Sequence, residues 1–160
     1  MLQRMICAGV VATAAFVATG CESTPTTLDG TYVLDHRVLP DGQVQRPPEI
    51  VGLLTYADGY RNFNIVWPNP DGTRTAIGSI ARYALTGDVY TEESVYYTRD
   101  DGAGATYDLS GPRGSSPVTR RGDEIEFELP LFDEPMAVFT PGGFHASVPG
   151  VFTDYWTRVD

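Results

Sequence analysis

The sequence has 160 residues, of which 21 are acidic and 11 are basic, so its formal net charge at pH 7 is −10. A chain of this length forms one domain with a single hydrophobic core. The acidic balance argues against nucleic acid and against an anionic membrane surface as binding partners.

The first 20 residues have the pattern of a secretory signal peptide. Arg4 is their only charged residue, and an apolar run over residues 5–18 follows it. A basic start, an apolar centre and small residues at the exit are typical of a cleaved export signal. The run is too short and too rich in Ala, Gly and Thr for a transmembrane span. Because the segment fits a signal peptide, we expect residues 1–20 to be removed. A buried core helix is the less favoured alternative.

The exit of this segment, Ala18-Thr19-Gly20-Cys21, resembles the lipobox of bacterial lipoproteins. The resemblance implies cleavage before Cys21 and at least two acyl chains on it, enough to hold a protein stably in a membrane. Residues 21–27 would then form a flexible polar tether. By the sorting rule of such lipoproteins, Glu22 favours the cell envelope, on the periplasmic face of the outer membrane. Because the only other cysteine, Cys7, leaves with the signal, the domain has no disulfide.

Turn-forming dipeptides punctuate the rest of the chain. Asp-Gly occurs at 29–30, 41–42, 58–59, 71–72 and 101–102, and Gly-Asp occurs at 87–88 and 122–123. Asp and Gly tolerate positive φ, which tight hairpin turns require. Their near-regular spacing predicts an up-and-down meander of short strands.

Alternating, β-branched and aromatic runs lie between these turns. In the first strand, Tyr32, Leu34, His36 and Val38 are expected to share one face. The segment 75–85 is ambiguous between strand and helix and is assigned as a strand. No amphipathic helix is predicted after the signal peptide. The further predicted strands are 50–56, 61–67, 89–98, 124–129, 135–140 and 152–159.

The predicted fold class is all-β. About eight to ten antiparallel strands must bury one face without leaving open edges, and closure into a barrel satisfies both requirements. A barrel of about eight strands is just wide enough to hold one small ligand. A two-sheet sandwich is the alternative form of closure.

Four short motifs together resemble the bacterial lipocalin-like domain family of small β-barrels, over residues 28–160. They are DGTYVL at 29–34, GLLTYADGYR at 52–61, YALTGDVY at 83–90 and YWTR at 155–158. The resemblance implies an antiparallel up-and-down barrel. The family's opening motif places a Trp against an Arg of the last strand, so Tyr32 and Arg158 would form the barrel-closing structural pair here. A Tyr ring can still stack under a guanidinium, with a smaller contact.

The sequence offers few groups for catalysis. His36 and His145 are the only histidines, so no zinc site, other metal site or cofactor is predicted. Both are interpreted first as ordinary polar residues, His145 on a loop at the barrel rim. Since Glu92 and Glu93 are adjacent in a strand, they fall on opposite faces, and one of them is expected to point inward. The candidate ligand-binding residues are Phe63, Trp67, Tyr83, Glu93, Tyr97 and His145, and Trp156 is a further candidate for lining or filling the barrel.

The expected function is binding of a small, mainly apolar molecule inside the barrel of a lipid-anchored protein. A small barrel enzyme, such as an isomerase or cyclase, is the first alternative. A packed barrel that serves as a structural or interaction module is the second. A cavity with converging polar groups would favour the first two, and a perturbed inward Glu or His would favour the enzyme.

Overall fold

The computed structural model describes residues 27–159. The predicted signal peptide, residues 1–20, and the predicted acylation site, Cys21, lie outside the described residues. Between residues 27 and 159 the chain contains no helix, as predicted, and hence no helix long and apolar enough to cross a membrane.

The described chain is built from strands and turns. Its strands are β1 (Gly30–Val38), β2 (Val44–Gln45), β3 (Val51–Ala57), β4 (Tyr60–Pro68), β5 (Arg74–Thr86), β6 (Val89–Asp100), β7 (Ala105–Asp108), β8 (Arg113–Pro117), β9 (Thr119–Arg121), β10 (Glu124–Glu128), β11 (Met136–Thr140), β12 (Gly143–Val148) and β13 (Phe152–Arg158).

These strands belong to one antiparallel sheet, in which most neighbours in space are also neighbours in sequence. Strand β1 pairs with β3 on one side and with β13 on the other, which joins the start of the domain to its end. Residues 113–121 pair with β6 through β8 and with β10 through β9. The sheet therefore curls into a barrel-like shape, and the predicted all-β class is confirmed.

Local sequence signals placed several elements correctly. The Asp58-Gly59 turn between β3 and β4 has φ angles of 51° and 76°, the positive values that a tight hairpin needs. The ambiguous segment 75–85 lies within the long strand β5, whose residues pair with both β4 and β6.

A β-bulge in β1 overturns one expectation. The pairing with β13 shifts between Leu34 and His36, so Asp35 is the extra residue. One additional residue reverses the alternation of faces along the rest of a strand. Arg37 is therefore the buried residue, whereas His36 stacks on the exposed Tyr155 at a centroid distance of 4.6 Å. The prediction that His36 and Val38 share the face of Tyr32 and Leu34 was wrong.

A similar irregularity occurs in β6. Ile80 of β5 pairs with Tyr96, and Ala81 pairs with Ser94, so Val95 is skipped and exposed. Glu92, which precedes Val95 in β6, has a buried side chain, and Tyr97, which follows Val95, also points inward and lines the interior. Both irregularities therefore select which side chains face the interior.

Aromatic rings fill one end of the barrel. Tyr90 stacks on Phe127 with centroids 4.2 Å apart, and Phe127 stacks on Phe139 at 5.6 Å. Tyr56 meets Phe139 edge to face at 5.8 Å. Such contacts add to the free energy gained by burying the rings. This end of the interior is packed.

Tyr32 belongs to the same packed region. Its ring meets Phe139 and Phe144 edge to face, and its hydroxyl donates a hydrogen bond of 2.9 Å to the carbonyl of Leu28. Tyr32 lies directly opposite Arg158 in the pairing of β1 with β13. Stacking of the ring under that guanidinium stays a prediction.

Gly52 gives a direct test of the interior packing. A Cβ at this position would overlap Cη2 of Trp156 and lie 3.3 Å from Cβ of Leu34. We expect Gly52→Ala to lower the free energy of unfolding by about 1–3 kcal/mol, the usual cost of overpacking. Urea denaturation measures this loss. Gly142→Ala is the control, because a Cβ added there would meet no atom within 4 Å, and equal losses in both variants would contradict the packing described.

Candidate functional site

The opposite end of the barrel holds a cavity of about 300 Å³. Most of its walls are aromatic or aliphatic. The aromatic residues that line it are Tyr56, Phe63, Trp67, Tyr97, Phe132, Phe139, Phe144, Phe152 and Trp156. Concave, mainly apolar pockets with a few placed polar groups are the usual form of a small-molecule site.

Strand β4 supplies one wall of this cavity by simple alternation. Arg61, Phe63, Ile65 and Trp67 line the cavity, whereas Asn62 and Asn64, between them, are exposed. Side chains two residues apart share one face of a strand. Phe63 and Trp67, two of the candidate residues named from the sequence, therefore lie on the cavity face, and that face continues to a charged residue, Arg61.

Arg61 is the centre of the first polar group in the cavity. Its Nη1 donates hydrogen bonds to Oε1 of Glu92 at 2.9 Å and to Oε1 of Glu134 at 3.2 Å, and it lies 3.0 Å from Oε2 of Glu134. Oε2 of Glu92 accepts a hydrogen bond of 3.2 Å from the hydroxyl of Tyr90. Because Arg61 is only 2% exposed, its charge needs these carboxylates.

Glu134 reaches Arg61 from the loop 129–135, which connects β10 to β11. Phe132 and Asp133 adopt left-handed φ angles of 57° and 53°, which are uncommon for a bulky residue such as Phe. Phe132 stacks on Tyr97 with ring centroids 4.0 Å apart. That contact and the ion pair of Glu134 hold the loop against the cavity.

Glu134 and Glu92 share one guanidinium, and this arrangement affects the pKa of Glu134. Burial raises the pKa of Glu134 from 4.5 to about 7; Arg61 opposes the rise and Glu92 adds to it. Burial alone would lower the pKa of Arg61, but Glu134 and Glu92 outweigh it and hold that pKa well above its usual value. Near neutral pH, therefore, Glu134 exchanges its proton while Arg61 stays charged.

A second buried ion pair lies on the other side of the cavity. Arg37 donates through Nε to Oδ1 of Asp154 at 2.6 Å and through Nη2 to Oδ2 at 2.8 Å. Its guanidinium carbon lies 4.1 Å from the ring centroid of Phe152 and 5.0 Å from that of Trp67. Two parallel hydrogen bonds and flanking aromatic rings fix the orientation of this arginine. It ties β1 to β13 at the cavity.

Of the six candidate ligand-binding residues, Phe63, Trp67 and Tyr97 come together in the cavity. Tyr83 lies at the packed end and donates a hydrogen bond to Asp29. Glu93 faces outward and pairs with Arg113 at 2.7 Å.

His145 lies outside the cavity as well, beside Tyr155 on the outer face of the sheet, with ring centroids 6.1 Å apart. The expectation that one residue of the Glu92-Glu93 pair points inward is confirmed, since Glu92 is 4% exposed and bonded to Arg61.

Sequence reasoning missed the four charged residues that form ion pairs inside the cavity, Arg37, Arg61, Glu134 and Asp154, and also Arg99 and Asp133 in its outer lining. Arg61 was detectable, because it continues the alternation of Phe63, Ile65 and Trp67. Arg37 was hidden by the bulge, which reverses the expected face. Glu134 lies in a loop, where no periodicity indicates an inward direction.

The described part of the chain, residues 27–159, contains no group of three or more His, Cys, Asp or Glu side chains arranged to hold a metal ion. The polar groups of the cavity lining are the two buried ion pairs, Arg99 and Asp133 in the outer part, and the N–H and O–H groups of the aromatic residues.

No protein-family model matches the chain, and no curated protein or solved structure matches it significantly.

The ion pair of Arg37 and Asp154 makes a testable contribution to stability. Asp154→Asn leaves a buried guanidinium without its counter-charge, so we expect a loss of about 3–5 kcal/mol in the free energy of unfolding. Asp35→Asn is the matched control, because Asp35 pairs with Arg46 at the surface and such pairs contribute about 1 kcal/mol or less. Chemical denaturation compares the two, and a small loss for Asp154→Asn would contradict this account.

Glu134 predicts a pH dependence of stability. Its pKa is about 7 in the folded protein, above the 4.5 of an unperturbed carboxyl. The contribution of Glu134 to the free energy of unfolding is therefore fully present below about pH 4.5 and is lost as the pH rises through about 7. As the pH rises across this window, the free energy of unfolding of Glu134→Gln should increase relative to that of wild type by up to about 3 kcal/mol, at 1.36 kcal/mol per pKa unit.

Denaturation series from pH 4 to pH 8 measure this difference. Glu93→Gln, on the outer face, removes the same charge as the control. An equal trend in both variants, or none in Glu134→Gln, would show that the cavity carboxyl does not carry the effect.

Proposed function

We propose that this protein is a lipid-anchored envelope lipoprotein whose lipocalin-like barrel binds a small, mainly apolar molecule. The cavity of about 300 Å³ with aromatic and aliphatic walls is the observation that carries the proposal. Its volume lies at the lower end of the roughly 300–1,000 Å³ that ligand pockets occupy. Burying an apolar ligand there gains about 25 cal/mol for each Å² removed from water.

The division of the interior into a packed end and an open cavity supports binding over a purely structural role. The rings of Tyr90, Phe127 and Phe139 already fill one end, and a barrel that served only as a scaffold would gain by filling the other end too. Instead, the cavity end carries buried charges whose orientation is fixed by hydrogen bonds. Fixed polar groups in an apolar pocket are what orients a ligand.

The membrane anchor of the proposal rests on the sequence. The lipobox-like segment Ala18-Thr19-Gly20-Cys21 precedes β1, which begins at Gly30. Nine residues of extended chain span at most about 30 Å. Acylation of Cys21 would thus keep the cavity close to the membrane, the source and destination of apolar molecules.

An isomerase or cyclase is a second candidate, and one observation favours it. Glu134 lines the cavity with a pKa of about 7, the value suited to a general acid or base at neutral pH. Under this alternative, Glu134→Gln would abolish turnover of a bound molecule and still bind it. Under the binding function, the molecule released from the cavity is chemically unchanged.

Native mass spectrometry of the protein purified gently from its own host tests the proposal in two independent respects. A mass increment that survives denaturation and is absent from Cys21→Ser reports the acyl anchor. An increment that is lost on denaturation and remains in Cys21→Ser reports the ligand and its mass. A clean apo mass, with no thermal stabilisation by a panel of apolar molecules, would overturn the binding function.

Filling the cavity with a larger side chain should weaken binding. Ala146 is 5% exposed and lines the cavity, so Ala146→Phe should weaken retention of the ligand at least about tenfold by occupying its volume. Ile77→Phe, at a less buried part of the lining, is a second variant in case the first is unstable. Ala84→Phe, on the outside of the same strand as Ile77, is the control and should bind normally. Unchanged binding in both cavity variants would place the ligand elsewhere.

A further inference from the structure

Two hydrogen-bond donors of the cavity lining lack partners. Nε of Arg61 and Nε1 of Trp156 are buried and have no hydrogen-bond partner among the residues that the structure describes. The two residues are 2% and 4% exposed, and both line the cavity. Folded proteins pair nearly all such atoms, and each one left unpaired costs about 1–3 kcal/mol. An acceptor atom supplied by a ligand would remove this cost.

These donors border the same part of the cavity. The ring of Phe63 lies between them, with its centroid 5.1 Å from the guanidinium carbon of Arg61 and 5.9 Å from the ring of Trp156. The wall at Phe63 is apolar, so a molecule packed on this ring has apolar contact along its body and an N–H donor at either side. This arrangement calls for an acceptor oxygen on an otherwise apolar molecule.

The ion pairs of the cavity indicate the charge of that molecule. Arg37 is paired with Asp154 through two hydrogen bonds, and Arg61 already contacts two carboxylates, Glu92 and Glu134. An anionic ligand would add a further negative charge beside these carboxylates. A cationic ligand would find each inner carboxylate paired with an arginine; even Oε2 of Glu134, which accepts no hydrogen bond, lies 3.0 Å from Nη1 of Arg61. Either charge would lose its hydration without gaining a free counter-charge.

The charged groups at the outer part of the lining do not change this conclusion. Arg99 pairs with Asp101 at 2.9 Å, and both side chains are about half exposed. Asp133 is exposed to solvent. Water and salt screen such groups, so they contribute little to selecting a buried ligand.

Resting on the proposed binding function, we propose that the ligand is an uncharged amphiphile. An acceptor oxygen, such as the carbonyl of a ketone, ester or amide, accepts a hydrogen bond from Nε1 of Trp156, and Nε of Arg61 on the other side of Phe63 is available to a second acceptor. Its apolar body packs against Phe63 and the other rings of the cavity.

A matched series of probes tests this class. 2-Undecanone, undecane, decanoate and decylammonium share a similar apolar chain and differ in their head group. Each competes against the neutral fluorophore N-phenyl-1-naphthylamine for the full chain carrying Cys21→Ser, which has no acyl chains to occupy the cavity. We expect the ketone to bind roughly tenfold more tightly than the alkane, the effect of one hydrogen bond to an otherwise unpaired donor. Both ions should bind more weakly than the ketone.

Trp156→Phe keeps an aromatic ring and removes the N–H donor. It should lower the ratio of ketone to alkane affinity severalfold, while alkane binding changes little. Trp67→Phe is the matched control, because Trp67 also lines the cavity but its Nε1 is not among the buried unpaired atoms. That variant should keep the ratio. An unchanged ratio in Trp156→Phe would overturn the assignment of this donor.

The possible results separate this inference from the function on which it rests. Tightest binding by decanoate or decylammonium, or equal binding of ketone and alkane, would overturn the uncharged, acceptor-bearing class while leaving a ligand-binding barrel. Failure of the fluorophore and of every probe to bind would overturn the binding function itself.

Discussion

Two guanidinium charges inside an apolar barrel impose the main constraint on this structure. Arg37 and Arg61 are 5% and 2% exposed, and neither can be buried without carboxylate partners. Arg37 binds Asp154 and so joins β1 to β13. Arg61 binds Glu92 of β6 and Glu134 of the loop 129–135. The pairing thus joins the ends of the domain and draws a loop against the cavity.

The same constraint explains the unusual backbone of that loop. Phe132 and Asp133 have left-handed φ angles, a conformation that costs free energy for residues other than glycine. The stacking of Phe132 on Tyr97 and the ion pair of Glu134 offset this cost. Glu134 is the second carboxylate on one guanidinium. Burial and the charge of Glu92 together outweigh the opposing effect of Arg61 and raise the pKa of Glu134 to about 7. The loop therefore carries the titratable group of the cavity.

Apolar walls, paired charges and two unpaired donors describe a cavity selective by hydrogen bonding rather than by charge. The ion pairs orient the surrounding rings, as Arg37 does for Phe152 and Trp67. Nε of Arg61 and Nε1 of Trp156 are the buried donors without a partner within the described lining, and Oε2 of Glu134, which lies 3.0 Å from Nη1 of Arg61, is the buried acceptor without a hydrogen bond. The packed aromatic end limits how far a ligand enters and so restricts the ligand's length. The unpaired donors restrict the ligand's polar group.

The sequence by itself determined the all-β class, the hairpin at Asp58-Gly59 and the placement of Phe63 and Trp67 in the interior. Each depends on neighbouring residues, through turn chemistry or the two-residue period of a strand. Only the tertiary structure decided that Arg37 faces inward instead of His36, because a bulge depends on pairing with another strand. It also decided that Glu134 meets Arg61, since these residues are 73 positions apart. A contact over that distance follows from the closure of the sheet, which no local pattern encodes.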